Sequence, residues 1–98
     1  MTSSTQSQSS LSDEEVLRRF RETKDSACFG ELFARHRHKV YLACRAFSSD
    51  GAAAEDATQE TFLRAYERLD QFHGGDFAGW LMRIARNICI DQWRNDHY

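Results

Sequence analysis

The sequence predicts an all-α fold, a compact bundle of three long helices plus a short N-terminal helix. Three observations carry that expectation. From Leu11 onward apolar residues recur at helical spacing almost without interruption, no stretch alternates in the manner of a strand, and proline is absent. Ninety-eight residues make one domain at most, near the size at which a single core becomes self-sufficient.

Residues 1–10 (MTSSTQSQSS) carry no apolar periodicity and read as a disordered tail, which leaves 11–98 as the folded domain. Ser12 followed by Glu15 has capping-box spacing, with Leu11 outside it placed to staple onto Val16 or Leu17. That opens a helix over Asp13 to Lys24 with Val16, Leu17 and Phe20 on one side. Asp25 or Ser26 can cap a second helix reaching Phe47, whose stripe is Phe29, Phe33, Val40, Cys44 and Phe47 with His36 inside it. Arg35, His38, Lys39 and Arg45 fall mostly off that stripe. Ser48-Ser49-Asp50-Gly51 is a turn by composition. A third helix follows from Ala52 to Leu69, with Thr58, Phe62, Ala65, Tyr66 and Leu69 facing inward. Gln71 to Gly75 is a loop whose paired glycines permit unusual backbone angles. Asp76 can cap a fourth helix running to Asn95 on a core side of Phe77, Trp80, Leu81, Ile84 and Ile88.

Composition excludes several classes. Apolar residues make up 41% and charged residues 29%, ordinary for a globular chain. No apolar run approaches the roughly 20 residues of a membrane span and the N-terminus lacks a signal-peptide pattern, so a cytoplasmic protein with no membrane partner is expected. Cys28, Cys44 and Cys89 are odd in number and widely spaced within apolar helical context, which fits buried thiols better than disulfides. His36 and His38 diverge by about 200° on a helix and cannot chelate one metal, and no cysteine pair has zinc spacing. Gly74-Gly75 before a helix could suggest an anion site, but no P-loop lysine follows and Asp76 opposes phosphate. No nucleophile–base pair stands out. An enzyme is not expected, nor a cofactor or metal. The formal charge of −2 argues against strong non-specific duplex binding, which depends on phosphate neutralisation by Lys and Arg.

The outer faces carry the functional signal. Asp56, Gln59, Glu60, Leu63 and Glu67 share one face of the third helix. A leucine ringed by carboxylates and an amide suits docking of a basic partner helix, though a solvated face with one stray apolar residue has the same pattern. On the fourth helix Arg83, Asn87 and Arg94 flank the apolar stripe, with Trp80 at its boundary, Arg86 further round, and Phe72 and His73 in the loop just before. Arginines contact phosphates, an asparagine amide reads a base edge, and aromatic rings stack on bases. An ordinary amphipathic helix with a core tryptophan is the other reading of those residue types.

The run EDATQETFLRAYERLDQFHGGDFAGWLMRIARNICIDQWRN, Glu55 to Asn95, closely resembles region 2 of extracytoplasmic-function (ECF) sigma factors. Gln59, Phe62, Trp80, Leu81, Ile84, Asn87 and Asp91 match the family pattern together, and DSACFGELFARHRHKVYLACRAF looks like the family's preceding helix. The resemblance implies a transcription initiation factor. Its QE-containing helix, here Asp56, Gln59, Glu60 and Leu63, would bind the β′ clamp helices of core RNA polymerase. The loop and following helix would recognise and melt the promoter −10 element, flipping one non-template-strand base into a pocket. Phe72, His73, Gly74 and Gly75 from the loop, with Ile84 and Asn87 from the helix, are the matching positions, and Arg83, Arg86 and Arg94 would hold phosphates. The resemblance also leaves room for an anti-sigma factor as a partner.

Two departures qualify the match. Such factors normally continue into a second helical domain that reads the −35 element; this chain stops at Tyr98, and a fragment of such a protein is expected rather than a single-domain relative. The loop QFHGGD is its own, so the selected base stays open. The alternative from a different class is a helical protein-interaction module that regulates transcription without touching DNA. Asn87 beside Arg83 and the aromatic glycine loop separate the two, because a protein-only face has no need of base-reading groups.

Overall fold

The structure, a computed structural model, describes residues 11–48 and 50–97. The expected tail at 1–10 lies outside them. Four α-helices account for the described chain: α1 (Asp13–Thr23), α2 (Ser26–Phe47), α3 (Gly51–Glu67) and α4 (Phe77–His97), with a single 3₁₀ turn at Leu69–Gln71 between α3 and α4. No strand occurs among the described residues, and the fold is all-α. Two compact units divide the chain, one up to Arg35 and one from His36 onward.

In the first unit, α1 opens on the capping box that the spacing of Ser12 and Glu15 predicts. The Glu15 N–H donates to Ser12 Oγ at 3.1 Å, and the Ser12 N–H donates to Glu15 Oε1 at 3.0 Å. That reciprocal bond from the Ser12 backbone is the largest influence holding the Glu15 carboxyl below its ordinary range. Lys24 ends the helix in the left-handed region (φ 58°), its N–H donating to Phe20 O at 2.7 Å. Asp25 then caps α2, accepting from the Ala27 N–H at 3.0 Å. Val16, Leu17, Phe20 and Leu32 are buried, and the Phe20 and Phe29 rings sit 5.9 Å apart. Arg35 pairs with Asp13 at 3.1 Å and Glu31 at 2.9 Å. Burial opposes its charge, but these two carboxylates outweigh that and raise its affinity for the proton.

In the second unit, Asp50 caps α3 through the Ala52 N–H at 3.0 Å. The inner face of α3 is built of small residues around one ring: Ala54, Ala57, Thr58, Thr61, Phe62 and Ala65 are all buried. The two threonine hydroxyls donate back to Ala54 O (2.8 Å) and Ala57 O (2.7 Å), so burial leaves neither unsatisfied. Against this face packs α4, with Phe77, Leu81, Ile84, Ala85, Ile88 and Cys89 buried, and Val40 and Cys44 are the buried residues of this part of α2.

Three positions depart from the periodicity reading. Tyr66, expected inside, is 52% exposed, and Phe47, placed on the α2 stripe, is 42% exposed. Leu32, outside the expected stripe, is fully buried. The third helix also ends earlier than expected: Arg68 caps it, its N–H shared between Arg64 O and Tyr66 O, and Leu69 begins the 3₁₀ turn. Leu69 is nonetheless buried, as its place on the Phe62 stripe predicts.

Candidate nucleic-acid interface

The loop between the 3₁₀ turn and α4 is held from below by an aromatic cluster. The Phe72 N–H donates to Leu69 O at 3.1 Å, closing the turn, and the Phe72 ring is buried. It meets Phe77 edge-on at 5.6 Å and Trp80 at 5.1 Å, while Phe77 and Trp80 are 5.8 Å apart. His36 adds a fourth ring 5.8 Å from Phe77. The chain then bends through Gly74 (φ 109°) and Gly75 (φ 94°), angles that favour glycine. No heavy atom lies within 4 Å of where a Cβ would stand at either residue, so glycine is required there by the backbone and not by lack of space. Where the loop enters α4, the Asp76 side chain folds over Gly79 so closely that a Cβ on Gly79 would collide with its carboxylate. A negative group at that end is favoured by the helix dipole and disfavours a phosphate at the same spot.

This arrangement leaves an open cleft of about 340 Å³, lined by Gln71, Phe72, His73, Gly74, Asp76, Gly79, Trp80 and Arg83. That is near the lower end of the roughly 300–1,000 Å³ of small-molecule sites, enough for one planar ring system. Its walls combine an aromatic face (Trp80), a cation (Arg83) and hydrogen-bonding groups on Gln71, His73 and Asp76. Of the residues singled out in the sequence, the cleft brings together Phe72, His73, Gly74, Trp80 and Arg83. Gly75 shapes the loop from outside the lining. Ile84 is 7% exposed, buried on the core side of α4 and outside the lining, so it does not floor this cleft. Asn87, one turn beyond Arg83, and Arg86 and Arg94 are exposed on α4, also outside the lining. Gln71 and Asp76 were not singled out. Their convergence depends on how the loop folds back over α4, which no local spacing encodes.

The second surface lies on α3, opposite its small-residue face. Asp56, Gln59 and Glu67 are exposed, Glu60 is half-buried and pairs with Arg64 at 3.0 Å, and Leu63 is 59% exposed. Tyr66 joins it one turn after Leu63, making an exposed apolar pair rimmed by carboxylates.

Residues 32–97, two thirds of the chain and all of the elements just described on α3, the loop and α4, match the family Sigma-70 region 2. The chain belongs to the sigma-70 region 2 family. Its curated relatives place it in the ECF branch. This region 2 domain is 39% identical over 64 residues to the ECF RNA polymerase sigma factor SigE of Mycolicibacterium smegmatis, covering 65% of this chain and 25% of that protein. It is 37% identical over 76 residues to the ECF RNA polymerase sigma factor BldN of Streptomyces coelicolor, covering 76% and 29%. With the ECF RNA polymerase sigma factor SigW of Bacillus subtilis it shares 34% over 89 residues, 85% of this chain and 48% of that one. The region 2 domain thus spans less than half the length of these three relatives. Among its described residues no helix is long and apolar enough to cross a membrane.

Proposed function

We propose that this region 2 domain serves transcription initiation as part of a sigma factor, docking on core RNA polymerase through α3 and melting the promoter −10 element through the loop and α4. The observation that carries the reading is the cleft. A pocket for one ring, walled by Trp80 and Arg83 and capped by a glycine-bent loop, suits a base that has been turned out of its stack, because only then are its face and edge readable. Trp80 offers the stacking face, and Gln71, His73 and Asp76 offer donors and acceptors to the base edge. Asn87 reads the base from the turn above, and Arg83, Arg86 and Arg94 hold the flanking phosphates. Asp56, Gln59, Glu60 and Leu63, joined by Tyr66, form the face for the β′ clamp helices, with carboxylates to meet a basic partner and an apolar centre to be buried.

Selection from a randomised non-template-strand pool, with core polymerase and the chain present, tests the reading. A recovered −10-like motif with one position of strict base preference is expected, together with duplex binding by the chain alone weaker than about 10 μM at physiological salt, given its charge of −2. Tight, sequence-blind duplex binding by the chain alone, or no motif in the recovered pool, overturns it.

A further inference from the structure

The second unit carries a helix face that neither the cleft nor the core uses. Along the part of α2 that belongs to this unit, His38, Lys39, Leu42, Arg45 and Ala46 are all exposed. On a helix turning about 100° per residue these five fall within roughly 120° of one another, centred on Leu42 and opposite the buried Val40 and Cys44. Leu42 is 54% exposed, an apolar side chain standing in water between basic neighbours. Single exposed leucines are common, and what sets this one apart is its counterpart in the same unit. On α3, Leu63 is 59% exposed with Tyr66 beside it, and Asp56, Glu60 and Glu67 surround it. One face is basic with a leucine at its centre, and the other is acidic with a leucine at its centre. Both are exposed within one unit, so neither covers the other in the same chain.

We infer that the α2 face of one copy of this chain docks on the α3 face of a second copy. Lys39 and Arg45 then meet Asp56 and Glu67, and Leu42 comes to lie against Leu63 and Tyr66, which removes both apolar centres from water at once. Glu60, already held by Arg64 at 3.0 Å, sits at the rim. Duplex DNA fits the α2 face less well. Its phosphates would take up the cations but leave Leu42 against a charged backbone, with nothing apolar to cover it. The two faces differ, so the contact is heterologous and copies can join head to tail. A single helix face on each side lies at the small end of interfaces, so the association is weak and shows at high protein concentration. It occupies Asp56, Glu60 and Leu63 and so competes with any partner of α3. It does not depend on that partner being the polymerase, because self-association is measured with the chain alone.

Sedimentation velocity of the full chain from about 10 μM to about 1 mM tests this. The weight-average mass should rise with concentration at an ionic strength of about 0.1 M. It should fall back toward the monomer at about 1 M, where the screening length has dropped from roughly 10 Å to roughly 3 Å. Leu42→Glu sets a carboxylate against the carboxylates of α3, and Leu63→Arg sets a cation against the cations of α2. Each alone should hold the chain as a monomer with its circular dichroism unchanged. Mixed in equal amounts, the two variants should associate again, and no further than a dimer, because each supplies the intact face that the other lacks. If Leu42→Glu fails to fold, Lys39→Glu takes its place. A chain that is monomeric at about 1 mM and low salt, association untouched by salt or by either substitution alone, or a mixture that stays monomeric would each overturn the inference. So would a monomeric chain that binds a single-stranded oligonucleotide and loses that binding in Lys39→Glu, which would assign the α2 face to nucleic acid.

Discussion

Leu63 offers the most direct way to test the α3 docking face. Its side chain is 59% exposed, and complete burial of a leucine contributes about 1.5–3 kcal/mol. If the polymerase covers what is now exposed, Leu63→Ala should forfeit roughly 1–2 kcal/mol of that, weakening binding about 5- to 30-fold at ~1.4 kcal/mol per decade. Leu63→Arg should cost more, since it adds like-charge repulsion against a basic partner and takes the place of the apolar centre. Neither substitution touches the α3 core, which is formed by the opposite face, so stability should change by no more than about 0.5 kcal/mol. Fluorescence titration of labelled chain with core polymerase measures the binding, and circular dichroism with thermal melting measures the fold. Wild-type affinity in Leu63→Arg would remove α3 from the interface. A loss of affinity accompanied by an equal loss of helicity would mean that the exposure of Leu63 had been misjudged.

Other outcomes follow from the same geometry. Asn87→Ala should cost about 1–3 kcal/mol and flatten discrimination at one base position, whereas Arg83→Ala or Arg94→Ala should weaken all sequences alike and reduce the salt dependence by about one charge. Oligonucleotide binding with all four bases at two salt concentrations separates these, and unchanged base preference in Asn87→Ala would place the reading group elsewhere in the cleft, with Gln71 and Asp76 the next residues to replace. Gly74→Ala should destabilise the loop by about 1–3 kcal/mol through its backbone angle alone, because nothing crowds the new methyl group; a chemical melt shows this, and a neutral result would mean the loop does not need its present bend. Cys89 holds its proton more tightly folded than unfolded, so the folded state binds more protons above the ordinary thiol range and stability should fall as pH rises from about 9 toward 12. Melts across that range should be flatter for Cys89→Ala than for wild type, and parallel profiles would refute the assignment.

Much of the scaffold was legible because it is local. The Ser12–Glu15 box and the Asp25 cap each depend on residues a few positions apart, and both appear as their spacing predicts. Periodicity failed where a helix has more than one kind of neighbour. Tyr66 lies only about 100° from Ala65 and Phe62 sits a turn earlier, so a single stripe drawn through them carried the tyrosine inside when the structure leaves it out. Leu32 was missed by the same single-stripe reading. The exposure of Asp56, Gln59 and Leu63 could be read because their face is the complement of the buried one. The cleft was only half legible: Phe72, Trp80 and Arg83 announced themselves by chemistry, but Gln71 and Asp76 enter through a loop path set by two positive φ angles, and Ile84 belongs to the core.

The small residues on the inner face of α3 bear on how the two surfaces work together. Ala54, Ala57, Thr58, Thr61 and Ala65 hold α4 with short side chains that have few rotamers, and the threonine hydroxyls are already bound to their own backbone. Such a seam has little slack. Long, flexible side chains at a helix contact can absorb a displacement by changing rotamer, whereas methyl groups and tethered hydroxyls transmit it. A displacement of α3 should therefore be passed on to α4 more than absorbed by the small residues of this seam. Anything that seats α3 against a large partner also sets the position and tilt of Trp80, Arg83 and Asn87 in space. On the proposed function, the accuracy with which those groups are aimed would then be fixed by the partner's grip, and a chain with a net charge of −2 would need no strong hold of its own on DNA.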